Sequence, residues 1–256
     1  MNRIPALRPL ILAALLLVCR AAAQTTTPLD DARAALKAND LAKAATLLEP
    51  LTGADARDAV AFHLLSQVRL AQRNASQAIK LAEKATALDA TKPEYFSQLG
   101  MALGQRIGEV SFMEQALMSG KLRKAFAKAV ELDPNNISGL VGLARFYASA
   151  PEIAGGSSEK AKEFALRVQR LDPFLGELEL GGVAEHDENY AEALGHYEAA
   201  AKLKPGHAWT QNLCGRMLAK LDRKDEARAR FEAALKLNPS LAAAKEALAR
   251  LDAPAP

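Results

Sequence analysis

The sequence is poor in cysteine, in aromatic residues and in net charge, and each shortage removes a class of protein. Two cysteines occur in 256 residues, Cys19 and Cys214. Cys19 lies in the leader identified below, so the mature chain holds a single thiol. No intramolecular disulfide can staple it, and its stability must come from packing. Cys214 stands among Trp209, Leu213, Met217 and Leu218, where a small buried hydrophobe is the ordinary role of cysteine. Basic and acidic residues number 33 and 30. Three of the basic ones, Arg3, Arg8 and Arg20, fall in the first 23 residues, which contain no acid, so the rest of the chain is balanced at 30 of each. A neutral chain lacks the basic surplus that nucleic acid or an anionic membrane surface requires. Aromatic residues make up only 5% of the chain while half of it is apolar. That apolar half is largely alanine and leucine, the strongest helix formers, and an all-α fold follows.

One apolar run, Leu10 to Val18, follows Arg3 and Arg8 and precedes Ala21, Ala22 and Ala23. This is the pattern of a secretory signal peptide over residues 1–23, cleaved after Ala23. The run spans only about half of a bilayer core, too little for a transmembrane anchor. The expected location is outside the cytoplasm, in a periplasm, with no stable membrane insertion once the leader is removed. The alternative is a lipoprotein tethered at Cys19, since Leu16-Leu17-Val18-Cys19 begins like a lipoprotein signal. Bulky Val18 stands where such signals place a small residue.

Beyond the leader, one phrase recurs: Leu132-Asp133-Pro134, Leu171-Asp172-Pro173, Leu203-Lys204-Pro205 and Leu237-Asn238-Pro239, with Leu88-Asp89-Ala90 as a weaker copy. The last two prolines are 34 residues apart. On a 34-residue frame Gly215, Ala227, Phe231, Ala234 and Pro239 take positions 8, 20, 24, 27 and 32, and Gly181, Ala193, Tyr197, Ala200 and Pro205 take the same five places one unit earlier. Small residues at 8, 20 and 27 let two antiparallel helices approach, the aromatic at 24 fills the space left, and proline ends the second helix. This pattern resembles the tetratricopeptide repeat family. The resemblance implies a right-handed superhelix, an α-solenoid, of five to six helix pairs over residues 24–252. Its units fall near 28–58, 59–92, 93–136, 137–173, 174–207 and 208–239, with a capping helix at 240–252 and a short tail at 253–256. It also implies a concave groove, lined by the first helix of each pair, that binds a protein or peptide without catalysis or cofactor.

Two units break the frame. Ten extra residues separate Gly100 from Phe126, and five extra separate Tyr147 from Ala161. Both interruptions fall between the helices of a pair, on one edge of the solenoid, which makes them neighbours. The first insert offers Phe112, Met113 and Met118 as an adaptable contact edge. The competing expectation is that Ile107, Val110, Phe112, Leu117 and Met118 pack a longer hairpin onto the scaffold. The second insert, Ala150 to Lys160, contains Gly155-Gly156-Ser157. Its backbone N–H groups offer an anion site, or Ser157 or Ser158 caps the next helix. The phrase resembles one in exported bacterial members of the family.

By the resemblance, the groove is lined by His63, Gln67, Met101, Gln105, Arg145, Trp209, Asn212, Arg216 and Lys220. Arg145 and Arg216 are candidates to pair with acidic groups of a partner, and Trp209 to anchor an apolar side chain. Asn212, Arg216 and Lys220 fall in one unit, with Glu185 in the unit before, which departs from the family's carboxylate clamp across consecutive units. Glu185-His186-Asp187-Glu188 with His196 is the densest cluster of chemical side chains. A turn separates its two histidines, so a solvated turn is the expectation and not a metal site. No Gly-x-Ser-x-Gly elbow, Gly-rich nucleotide loop, His-Glu-x-x-His or cysteine pair occurs, and an enzyme is not expected. The expected function is an exported binding scaffold. A structural or lipid-tethered component of the cell envelope and a small-ligand or metal-binding protein are the alternatives.

Overall fold

The computed structural model describes residues 27–252. The leader, with Cys19, and the tail at 253–256 lie outside the described residues, as do the side chains of Phe112 and Met113. Among the described residues there are thirteen α-helices and no strand. They fall into six antiparallel pairs. These are α1 (Pro28–Lys37) with α2 (Leu41–Leu48), α3 (Ala59–Ala71) with α4 (Ala75–Leu88), and α5 (Pro93–Ile107) with α6 (Phe112–Leu132). The series continues with α7 (Ile137–Ser149) and α8 (Ser158–Leu171), α9 (Pro173–His186) and α10 (Tyr190–Leu203), α11 (Ala208–Lys220) and α12 (Lys224–Leu237), and a single α13 (Ala242–Asp252).

Helix starts are written in the sequence. Asp40, Asn74, Asn136, Ser157, Asp172 and Asn189 each accept a bond from a backbone N–H of the first turn that they precede, worth about 1 kcal/mol apiece. Pro28, Pro93 and Pro173 stand at the first helical position, where a missing N–H does no harm. Four of the turns within pairs place a residue other than glycine at positive φ: Asn39, Arg73, Glu188 and Asp222. These are the four pairs that keep the regular spacing. The third and fourth pairs, which carry the inserts, turn differently.

The core repeats as the sequence does. Phe126, Tyr197 and Phe231 lie over Gly100, Gly181 and Gly215, and Phe126 also covers Gly142 of the next unit. Ala129, Ala161, Ala165, Ala193, Ala200, Ala227 and Ala234 have no exposed surface or almost none. The first helices of neighbouring pairs touch one another, α1 with α3, α3 with α5, α5 with α7 and α7 with α9, and α11 touches the cap α13. Successive second helices barely meet. The more closely spaced layer lies inside the curve, so the first helices present the concave face. The result is a superhelical stack of six helix pairs closed by α13, whose Ala247, Leu248 and Leu251 cover the last pair.

Both inserts take definite form. The first is mostly helix: α6 has 21 residues where α4, α8, α10 and α12 have 14. A capping box between Ser111 and Glu114 starts it early. Ile107 and Met118 pack against the cluster of Leu103, Leu122, Phe126, Leu143 and Phe146, so Met118 serves the scaffold, whereas Leu117, expected to pack with them, is 71% exposed. The second insert is a loop with a short 3-10 turn, Glu152–Ala154. Its N–H groups are spent within the loop, Gly155 on Glu152, Gly156 on Pro151 and Ser157 on Tyr147. They are not free for an anion, and Ser157 caps α8 through Lys160 N–H.

Candidate binding groove

Three depressions follow one another along the concave face. The first, about 670 Å³, lies between α5, α6 and α7 and is lined by Met101, Gly104, Ser119, Val141, Phe146 and Ala154 among others. The second, about 390 Å³, lies between α7, α9 and α11. The third, about 430 Å³, lies between α11 and α13. Arg145 and Ser149 line both the first and the second, and Trp209 lines both the second and the third. The three therefore form one channel, with Arg145 and Trp209 at its two junctions.

Seven of the nine expected groove residues lie on or beside this channel. Met101 is 40% exposed in the first depression and Trp209 is 43% exposed between the second and third. Gln105 sits on the next turn of α5 with its Nε2 buried and unpartnered. Asn212, Arg216 and Lys220 line the third depression, the Lys220 ammonium 5.4 Å from the Tyr190 ring centre. His63 and Gln67 do not line the channel. They pair with each other on α3, Nε2 to Nε2 at 3.0 Å, and His63 lies against the Tyr95 ring at 4.8 Å. Burial lowers the His63 imidazole to about 4, with Glu94 pulling the other way. His63 is therefore neutral at ordinary pH and acts as a packing residue. The contact edge expected at Phe112 and Met113 rests on side chains outside the described residues.

The two arginines expected to meet a partner are already paired within the fold. Arg145 Nε is 2.9 Å from Glu179 Oε2 and Nη2 is 2.6 Å from Oε1. Glu179 is only 6% exposed, whereas the Arg145 side chain is 68% exposed. Arg216 Nη2 donates to Glu185, which also accepts from the Tyr197 hydroxyl at 2.8 Å. Burial, and then the Glu185 charge, hold that phenol well above its usual range. Glu179 escaped the sequence reading because a carboxylate between Leu178 and Leu180 on a helix reads as a surface residue. Its one signal is that same apolar setting, where an acid needs a partner.

The acidic cluster does not converge. His186 is exposed beside the second depression, while His196 pairs with Glu177 at 2.7 Å on the far side of the α9–α10 pair. Among the described residues no group of three or more His, Cys, Asp or Glu side chains could hold a metal ion. No described helix is long and apolar enough to cross a membrane. Cys214 is fully buried, and burial raises its thiol to about 11.

With this geometry in hand, comparison with known proteins places the fold. A tetratricopeptide repeat family model matches residues 185–251. No curated protein sequence matches the chain. Among solved structures, a chain of the APC/C hetero-tetramer Cut9–Hcn1 superposes with a TM-score of 0.68 at 14% identity, covering 88% of this chain and 42% of its own length. This chain thus spans less than half of that relative. Pseudomonas aeruginosa pilF gives 0.60 at 17% identity over 87% of this chain and 96% of its own. Acl4, described as an assembly chaperone of RpL4, gives 0.59 at 15% identity over 88% and 94%. At these identities the likeness is one of fold, an all-α superhelical repeat of tetratricopeptide type.

Proposed function

We propose that this protein is an exported, non-enzymatic scaffold whose concave channel binds a segment of a protein partner. One observation carries the reading. Met101 and Trp209 leave large apolar side chains 40% and 43% exposed along one channel, both on first helices of the pairs. Covering them with a partner removes that surface from water. Trp209 is an anchor of the kind enriched at binding hot spots. Two of the fold relatives are named for assemblies with other proteins, which supports a protein partner.

Export rests on the leader. Intact mass of the protein purified from its host tests it: a chain beginning at Gln24 is expected, and an acylated Cys19 or a retained leader contradicts it. Groove binding is tested by capture with the immobilised mature protein and identification of what is held. A partner retained by the native chain and by Lys236→Glu on the outer helix α12, and lost by Met101→Lys and Trp209→Ala, supports the channel. Equal retention by all four rejects it.

A further inference from the structure

The two inserts build something that the regular units lack. In the pairs that keep the 34-residue spacing, a tight turn at positive φ joins the helices. In the third and fourth pairs, the early turns of α6 bring Gln115 and Ser119, and the second loop brings Ala150, Pro151 and Ala154, to the walls of the first depression. This is the largest of the three, and its volume falls within the range of about 300–1,000 Å³ typical of ligand sites. We infer that this walled recess selects an uncharged, apolar peptide segment, and that it sets the specificity of the channel. The inference rests on the groove reading above and names the chemistry of its partner.

The charge arrangement decides against an acidic partner. Arg145 is the one charged residue among those lining the recess. Its Nε and Nη2 are committed to Glu179, a carboxylate with 6% exposure. Glu179 already balances the Arg145 charge, so the recess holds no net charge with which to repay the desolvation of an acidic segment. A basic segment would meet the guanidinium itself. What remains is an uncharged segment, and the apolar surface around the recess fits it. Among the lining residues, Met101 and Ile137 are 40% and 36% exposed. Covering these side chains removes apolar surface from water. A peptide suits the recess better than a compact molecule because the space is not closed. It runs past Arg145 and Ser149 into the second depression, as an elongated chain would.

The test uses short fluorescent peptides, acetylated and amidated, in a serine and glycine background. One carries two phenylalanines and two leucines, and two further versions add a pair of aspartates or a pair of lysines. Anisotropy with the mature protein reads binding. The neutral probe is expected to bind, with the charged versions about tenfold weaker or worse, a factor that corresponds to about 1.4 kcal/mol. Ile137→Asp and Ala154→Trp change exposed lining residues, so helicity is expected to persist, and each is expected to weaken the neutral probe about tenfold. Leu117→Asp, an exposed change away from the recess, leaves binding unaltered. No binding of the neutral probe, equal binding of the acidic one, unchanged affinity in both recess variants, or a compact apolar molecule found filling the recess of the purified protein overturns the inference. If Trp209→Ala still abolishes partner capture while the recess variants change nothing, the channel stands and the recess assignment alone falls.

Discussion

Adding one methyl group at Gly215 and one at Gly195 should move stability in opposite directions. Both glycines are helical, Gly215 in α11 and Gly195 in α10. A Cβ at Gly215 would lie 2.6 Å from Cε1 and 2.7 Å from Cδ1 of Phe231, well inside the ordinary carbon contact of about 3.5–4.0 Å. Phe231 is 1% exposed and packed with Ala227 and Ala234, so the ring has no space to turn into. Overpacking costs about 1–3 kcal/mol, and a contact about 1 Å too short against a buried ring belongs in the upper part of that range, about 2–3 kcal/mol, while the better helix propensity of alanine returns about 1 kcal/mol. The net expectation for Gly215→Ala is a loss of roughly 1–2 kcal/mol. A Cβ at Gly195 meets nothing within 4 Å, so only the propensity gain of about 1 kcal/mol remains. Thermal unfolding followed by far-UV circular dichroism should show Tm lowered by roughly 2–8 °C in the first variant and raised by about 2–4 °C in the second. A Gly215→Ala protein as stable as the native one would refute the close helix approach that defines the repeat.

Three further outcomes follow from the same geometry. Arg145→Met should cost roughly 1–3 kcal/mol in urea unfolding, because buried Glu179 loses its partner, and adding Glu179→Leu should recover most of the loss; a single variant of native stability would contradict the pairing. Because burial lowers the folded-state pKa of His63 to about 4 from 6.5, the unfolded chain takes up a proton below 6.5 that the native state refuses. Stability should be full above that pH, fall by at most about 3 kcal/mol as pH drops from 6.5 to 4, and level off below; a His63→Gln variant should lose this component, and an unchanged profile would deny it. Cys214, buried and with its thiol raised to about 11, should resist iodoacetamide in the native protein and react at once in urea; fast native labelling would place it elsewhere.

The fold was legible because each repeat writes the same physical requirement in the same place. Gly181 and Gly215 can only face Tyr197 and Phe231 if the helices are close, and the prolines that end α10 and α12 mark the period. The inserts were legible as interruptions but not as structures. Nothing short of packing says that seven of the ten extra residues lengthen α6 while five extra residues form a loop. The groove was legible by register, since Met101, Gln105, Arg145, Trp209, Asn212, Arg216 and Lys220 lie on or beside the channel. Its electrostatics were not. Whether Arg145 and Arg216 are free depends on Glu179 and Glu185 of the first helix between them; Glu185 holds an expected groove position and Glu179 does not, and only the packing of neighbouring units shows which carboxylate each arginine meets. Ala154, in no repeat position at all, could be placed on the recess wall only once the loop was folded.

The most direct test of the central claim places a photocrosslinking amino acid in turn at Met101, at Trp209 and at Lys236 in the protein expressed with its leader in its own host. The account predicts adducts to one common partner from Met101, in the first depression, and from Trp209, between the second and third, and none from Lys236 on the outer layer. Adducts from Lys236 alone, or equally from all three positions, would contradict it.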